Sequence, residues 1–227
     1  IARGVFRRRR KCGQASEHKG DVMIAVVDYG VGNLFSLVCS LRFIGADAEV
    51  TADADRLRSA DGIILPGVGA FADAREKLRA SGTEPVLREE VAKGKPFLGI
   101  CLGMQMLFDR SYEYGEHEGL GFIPGEVVPF SLPRGMKVPH MGWNSLQILR
   151  ECPLLKYVSN GEYVYYVHSY YATGCGEYTA AVSEYGVPVT GVVARGNVYG
   201  TQFHPEKSGD TGLNILRAFN EMTRGVL

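Results

Sequence analysis

The pentapeptide Gly99-Ile100-Cys101-Leu102-Gly103 leaves the chain around it few ways to fold. It follows the apolar run Pro96-Phe97-Leu98 and precedes a helix-like stretch, Met104 to Phe108. Glycine two before and two after a nucleophilic residue is the pattern of a strand that turns at once into a helix, with the nucleophile at the apex. Glycine is the residue that lets the backbone close so tightly. A cysteine there opens a helix, where free N–H groups and the macrodipole favour thiolate over thiol. The same letters also fit a buried strand cysteine followed by a glycine-rich turn.

The neighbouring patterns favour the tight turn. Ile24 to Asp28, Ile63 to Leu65 and Phe97 to Ile100 are short continuous apolar runs, as in strands buried on both faces of a parallel sheet. Ala48 to Val50 is a weaker strand. Leu34, Leu37, Val38, Leu41 and Ile44 recur at helical spacing between a capping Asn33 and a terminating Gly45. Phe71 to Ala80 and Glu84 to Lys93 also read as helices. Strand alternating with helix predicts an α/β fold with a doubly wound, mostly parallel sheet. From Glu126 to Phe203 the pattern changes to strands: Val164 to Val167, Tyr178 to Val182, Val189 to Ala194 and Val198 to Phe203, with turns at Gly186 and Gly196-Asn197. These are expected to be antiparallel strands that extend or flank the parallel sheet. A final helix, Asp210 to Met222, packs back through Leu213, Ile215, Leu216 and Phe219. No linker composition or repeat interrupts residues 23–227, which read as one domain.

Composition narrows the setting. The 227 residues are 45% hydrophobic and 22% charged, and no apolar run is long enough to span a bilayer. No secretory signal pattern is present, and a cytoplasmic location is expected. Cys12, Cys39, Cys101, Cys152 and Cys175 are odd in number and show no CxxC spacing, which argues against a disulfide framework and a zinc site. The zero net charge conceals a basic arm. Residues 1–20 hold seven Lys/Arg against one acid, leaving 18 basic and 24 acidic residues, a net of −6, on the remainder. Such an arm invites a nucleic-acid partner. Its shortness, and its lack of aromatics beyond Phe6, point instead to a disordered extension over residues 1–22, with Met23 a candidate start. Neither a nucleic acid nor a membrane is expected as partner.

A cysteine nucleophile needs a base, and the base an orienting group. In Gln202-Phe203-His204-Pro205-Glu206, at a predicted strand end, residues two apart point the same way, so Glu206 can hold the His204 ring. The resulting constellation is Cys101, His204 and Glu206; an exposed strand end is the plain alternative. Pro66-Gly67-Val68-Gly69 follows another strand, and in a doubly wound sheet its loop faces the elbow across one crevice. Backbone N–H groups there, with that of Leu102, can serve a developing oxyanion, where one donor is worth about 10²–10³ in rate. A plain strand–helix turn is the alternative. The Gly30-Val31-Gly32 segment lacks the third glycine of a dinucleotide fingerprint, so no cofactor is expected, and no metal. The tyrosines of 163–171 and Trp143 read as core or interface.

Taken together, the elbow, the His-Pro-Glu run and the Pro-Gly-Val-Gly loop resemble class I, triad-type glutamine amidotransferases. Asp28 to Leu34, Leu65 to Phe71, Gly99 to Leu107, Pro139 to Asn144, Val167 to Tyr170 and Gln202 to Gly209 narrow the resemblance, which covers about Met23 to Leu227, to the glutaminase subunits of imidazole glycerol phosphate synthase. The resemblance implies glutamine hydrolysis through a Cys101 thioester, with His204 moving protons and Glu206 orienting it. It implies an oxyanion site at Leu102 and Gly67, Val68 and Gly69, and a glutamine pocket with Gln105, Glu113 and main-chain groups near Ser169 and Tyr170. It implies a heterodimer with a (β/α)₈-barrel cyclase, docked through Asn33, Met141, Trp143 and Lys207. There ammonia closes an imidazole ring in histidine biosynthesis, giving imidazole glycerol phosphate and an aminoimidazole carboxamide ribotide. Family members are nearly silent without the partner and its nucleotide, and the Gly67-Val68-Gly69 peptides are the place for the activating reorientation. Rival readings are a glutaminase for pyridoxal phosphate, anthranilate or purine synthesis, a redox-sensing binding module, and a cysteine peptidase or esterase.

Overall fold

A computed structural model describes residues 23–225. The basic arm, residues 1–22, lies outside them. Among the described residues the first half of the chain alternates strand and helix: β1 (Met23–Val27), α1 (Leu34–Phe43), β2 (Asp47–Thr51), α2 (Ala54–Ser59), β3 (Gly62–Leu65), α3 (Phe71–Ala80), α4 (Glu84–Ala92), β4 (Phe97–Ile100) and α5 (Leu102–Gln105). The second half is mainly strand: β5 (Arg110–Ser111), β6 (His117–Glu118), β7 (Glu126–Pro129), β8 (His140–Ser145), β9 (Gln147–Ile148), β10 (Tyr163–His168), β11 (Tyr170–Thr173), β12 (Thr179–Glu184), β13 (Pro188–Arg195) and β14 (Val198–Thr201), closed by α6 (Gly209–Thr223).

The main sheet has the order β2-β1-β3-β4-β14-β13-β12-β9. Its first five strands are parallel, and β13, β12 and β9 extend it antiparallel. The period-2 alternation of a strand divides the apolar runs between two faces. Ile24, Val26, Ile64, Leu98 and Ile100 meet Leu37 and Leu41 of α1 and Ile215, Leu216 and Phe219 of α6. Ala25, Val27, Ile63, Leu65 and Phe97 meet Leu57 of α2, Phe71 and Leu78 of α3, and Leu87 of α4. Each fully buried Leu, Ile or Phe side chain contributes about 1.5–3 kcal/mol. The expected doubly wound, mostly parallel sheet with antiparallel extension strands is therefore present. A β8–β10 ribbon and a small sheet, β11-β7-β5-β6, lie beside it.

The structure departs from the sequence pattern in three places. Met104 to Phe108 does not continue as a helix: α5 stops at Gln105, because the carbonyls of Met106, Leu107 and Phe108 accept from the N–H groups of residues 120–123 instead of the next turn. Helix α2 is a six-residue turn of helix, capped by Asp53, whose carboxylate accepts from the N–H groups of Asp55 and Arg56. The two-residue strands β5, β6 and β9 are too short to leave a periodic signal.

Two close approaches fix the elbow. A Cβ on Gly103 would strike the Leu65 carbonyl oxygen at the end of β3, and one on Gly99 would sit 2.7 Å from the Gly103 carbonyl oxygen. Gly103→Ala is therefore expected to lower the unfolding free energy by about 2–3 kcal/mol. Gly176→Ala, whose added Cβ meets open space, should change it by less than about 1 kcal/mol; paired urea titrations check the contrast.

Candidate active site

Strands β4 and β14 run side by side, Ile100 opposite Thr201, and the Cys101 N–H donates to the Thr201 carbonyl at 2.7 Å. The residues just beyond both strands therefore share one edge. Cys101 follows β4 with φ 54° and ψ −109°, a left-handed backbone for a residue with a Cβ. Strain of this kind costs about 1–3 kcal/mol and persists only where the surroundings over-determine it. Here the close-packed Gly99, Gly103 and Leu65 backbones do so.

Beyond β14, His204 is buried and Nδ1 lies 2.9 Å from Glu206 Oε1. The Cys101 sulfur lies near enough to the ring to favour its charged form. Burial disfavours a charged imidazole, but the hydrogen bonds and charge of Cys101 and Glu206 outweigh it and raise the His204 pKa to about 9. At neutral pH the ring is therefore protonated, an imidazolium beside the sulfur. The structure brings Cys101, His204 and Glu206 together, although the first is separated from the others by a hundred residues of chain. Helix α5 has a single turn, so a macrodipole adds little here; the imidazolium is the main positive group facing the sulfur.

A cleft of about 300 Å³ opens above Cys101, lined by Val68, Gly69, Leu102, Gln105, Glu113, Pro139, Val167, His168, Ser169 and Tyr170. Val68 and Gly69 form part of its wall. Gly67 does not; it lies beneath, where an added Cβ would come within 2.7 Å of the Gly103 nitrogen, so its role is to let the loop rest on the elbow. Gly69 has φ 92°, open to glycine and strained for other residues. The Tyr29 hydroxyl donates to the Pro66 carbonyl at 2.7 Å and braces the loop from the β1 side. Burial, and then the negative charge of Cys101, push its phenol pKa up. This is the place of the Asp28-to-Asn33 glycine segment in the fold: its Tyr29 and Gly32 pack on Pro66.

At the far end of the cleft, Glu113 Oε2 accepts from the Phe71 N–H at the start of α3, 2.7 Å away. Burial raises the Glu113 carboxyl pKa, while the Phe71 N–H and the charge of His117 oppose the rise. Gln105 is buried and donates through Nε2 to the Tyr170 carbonyl at 2.9 Å and to Gln202 Oε1 at 3.0 Å. Gln202 Nε2 lies 3.8 Å from the Cys101 sulfur. The sequence assigns Gln202 no role of its own, although the spacing that pairs His204 with Glu206 places 202 on the same side. Pro139, Val167 and His168 lie in segments that carry the resemblance, but no chemistry of their own marks them as cleft residues in the sequence.

The four residues expected at a docking face lie on β8, just before α1 and in the turn after His204. Met141 and Trp143 on β8 are 60% and 56% exposed, large apolar areas left open to solvent. Trp143 packs edge-on against Tyr165 and reaches Gly209; Lys207 is exposed in the turn between His204 and α6. Asn33, half-buried, precedes α1 and makes no side-chain cap there.

With this geometry in place, comparison with known proteins is informative. The family model for glutamine amidotransferase class-I matches residues 25–222. The chain belongs to the class I glutamine amidotransferases. Within them, the imidazole glycerol phosphate synthase subunit HisH of Caldanaerobacter subterraneus is 50% identical over 89% of this chain and 99% of its own length. The HisH subunits of Listeria monocytogenes and Bacillus cereus are 50% and 51% identical over 88% and 87% of the chain, covering 96% and 93% of theirs. The chain is thus a member of the glutaminase subunits of that synthase, an enzyme of histidine biosynthesis. Among solved structures, a glutamine amidotransferase (TM-score 0.69, 21% identity, 88% of this chain and 98% of that one) and PurLQS from Thermotoga maritima (TM-score 0.68, 21% identity, 88% and 97%) share the amidotransferase fold.

An imidazolium held to about pH 9 sets the alkaline behaviour of such an amidotransferase. Glutamine hydrolysis should be level through neutrality and fall with a unit slope above about pH 9, as the ring loses the proton a leaving amine needs. Glu206→Gln removes one of the groups that raise His204, so the limb should move toward acid. Profiles of kcat/KM check both.

Proposed function

We propose that the chain hydrolyses glutamine at Cys101 and delivers the ammonia to a (β/α)₈-barrel cyclase docked on the edge that carries Met141 and Trp143. The observation that supports it is the Cys101–His204–Glu206 constellation at the floor of an amino-acid-sized cleft. Glu113, with one oxygen on the Phe71 N–H, offers the other to the substrate ammonium. The Gln105 side chain and the backbone of Ser169 and Tyr170 complete the walls.

In this reading the Cys101 thiolate adds to the side-chain carbonyl carbon of glutamine. Negative charge moves to the carbonyl oxygen, served by N–H groups of Leu102 and the Val68–Gly69 loop. His204 gives its proton to the nitrogen, the C–N bond breaks, ammonia leaves and a thioester remains. Water then loses a proton to His204 and attacks the thioester carbon; sulfur departs as thiolate and glutamate is released. Glutamine and water become glutamate, ammonia and one proton lost to solvent from the new carboxyl group, and the enzyme is returned unchanged. No metal, cofactor, nucleic acid or membrane takes part, and the proposed setting is the cytoplasm. Among the described residues no helix is long and apolar enough to cross a membrane. Free ammonia in bulk water would be protonated and lost as a nucleophile, which is why a docked acceptor is required. Gly69, at φ 92°, gives the loop the freedom to reorient when the complex forms.

Two variants test the reading. Cys101→Ala in the complex should abolish glutamine-dependent cyclisation while leaving the reaction with added ammonium salt intact. Glu113→Gln should raise KM for glutamine by about tenfold or more, the loss of one charged hydrogen bond, with kcat changed less.

A further inference from the structure

A directed hydrogen-bond chain runs from the exposed β8 ribbon to the glutamine cleft, and its polarity is fixed by elimination. It begins at a carbonyl, which can only accept. His168 Nδ1 is 2.8 Å from the Tyr170 carbonyl oxygen, so Nδ1 carries the hydrogen. Both rings are buried, and burial drives their pKa values down, His168 to about 3 and His140 to about 4, so each ring is neutral. Neutral His168 therefore has a bare Nε2, which accepts from His140 Nδ1 at 2.9 Å. His140 in turn has a bare Nε2, facing Asn144 Nδ2 at 3.3 Å. Asn144 cannot flip: its amide also donates to the Glu184 carbonyl at 2.9 Å, and its oxygen accepts from the Ser145 N–H at 2.8 Å. Each donor meets an acceptor, and one pair of tautomers satisfies the set.

The rings are also held mechanically. His140 lies between the Tyr166 and Tyr185 rings at 4.5 and 4.0 Å, nearly parallel to both. At the other end, the Tyr170 carbonyl accepts from both His168 and Gln105, which fills its two lone pairs and fixes Gln105 in the cleft wall. Gln105 then reaches Gln202, beside the sulfur. None of this is needed to satisfy a core: two stacked apolar rings would fill the same space without a directed path.

We propose that His140 and His168 are positioning residues for glutamine, a tautomer-locked pair that holds the Tyr170 carbonyl against Gln105, and so keeps the Gln105 side chain in the cleft wall, from a strand, β8, whose outer face is exposed. The proposal deepens the glutaminase reading and rests on it. His140 does not itself line the cleft; its chain neighbour Pro139 and its hydrogen-bond partner His168 do. His140→Asn keeps a donor at the Nδ1 position; His140→Leu removes it.

In the complex with the cyclase, His140→Leu should raise KM for glutamine roughly tenfold, the size of one misplaced hydrogen bond. The rate at which iodoacetamide alkylates Cys101 should not change, because that probe does not use the pocket. His140→Asn should return KM to within about twofold of the parent. In the unsubstituted full chain, long-range ¹H–¹⁵N imidazole spectra should show both rings as neutral Nδ1–H tautomers from pH 6 to 8. An unchanged KM in His140→Leu, no rescue by His140→Asn, or an Nε2–H tautomer on either ring overturns the proposal. If His140→Leu does not fold, the tautomer spectra decide it. Failure of the unsubstituted complex to hydrolyse glutamine is a separate result, which removes the glutaminase reading itself.

Discussion

The contact on which the site depends is the one between two backbones, the Leu65 carbonyl at the end of β3 and Gly103 just past the end of β4. With no Cβ at 103, the turn after β4 closes against the neighbouring strand, and Cys101 is forced into a conformation that a residue in open chain avoids. Its sulfur is then displayed at the sheet edge instead of buried beneath it. Gly67 repeats the device from the other side, resting its loop on the elbow. Nucleophile, loop and cleft floor are thus one packed unit, and the strain at Cys101 is sustained by the stability of the whole parallel sheet.

Pairing β14 beside β4 supplies the rest. The register Thr201 opposite Ile100 puts the residues after each strand level with one another, so an imidazole from position 204 meets a sulfur from position 101. Glu206, two residues on, holds the far side of the ring. The imidazolium is sustained in this buried group because the residues on its two sides, Glu206 and Cys101, both favour it. An apolar replacement for any one of them would leave an uncompensated partner in a low-dielectric place.

Much of this was legible in the sequence because it is local. Gly99 and Gly103 flank their cysteine within five residues, and His204 and Glu206 are two apart. The strands of the parallel sheet show as continuous apolar runs, and α3 and β4 have the limits their patterns predict. What could not be read is what depends on distant carbonyls. The helix expected after the elbow ends at Gln105 because residues 120–123 take its next carbonyls. Gln105, Gln202 and the His140–His168 pair join segments up to nearly a hundred residues apart, and no periodicity records a hydrogen bond across that span. Gly67 read as a cleft residue, and the structure assigns it to packing beneath the loop.

The central claim is that the sulfur of Cys101, paired with His204 in a cleft shaped for an amino acid, is the atom that attacks glutamine. A diazoketone analogue of glutamine, incubated with the chain and its cyclase partner and followed by peptide mass spectrometry, tests it directly. The account predicts one adduct, on Cys101, slowed by excess glutamine and absent from Cys39, Cys152 and Cys175. Labelling spread over the other cysteines, or an adduct on Cys101 that glutamine does not slow, would contradict it.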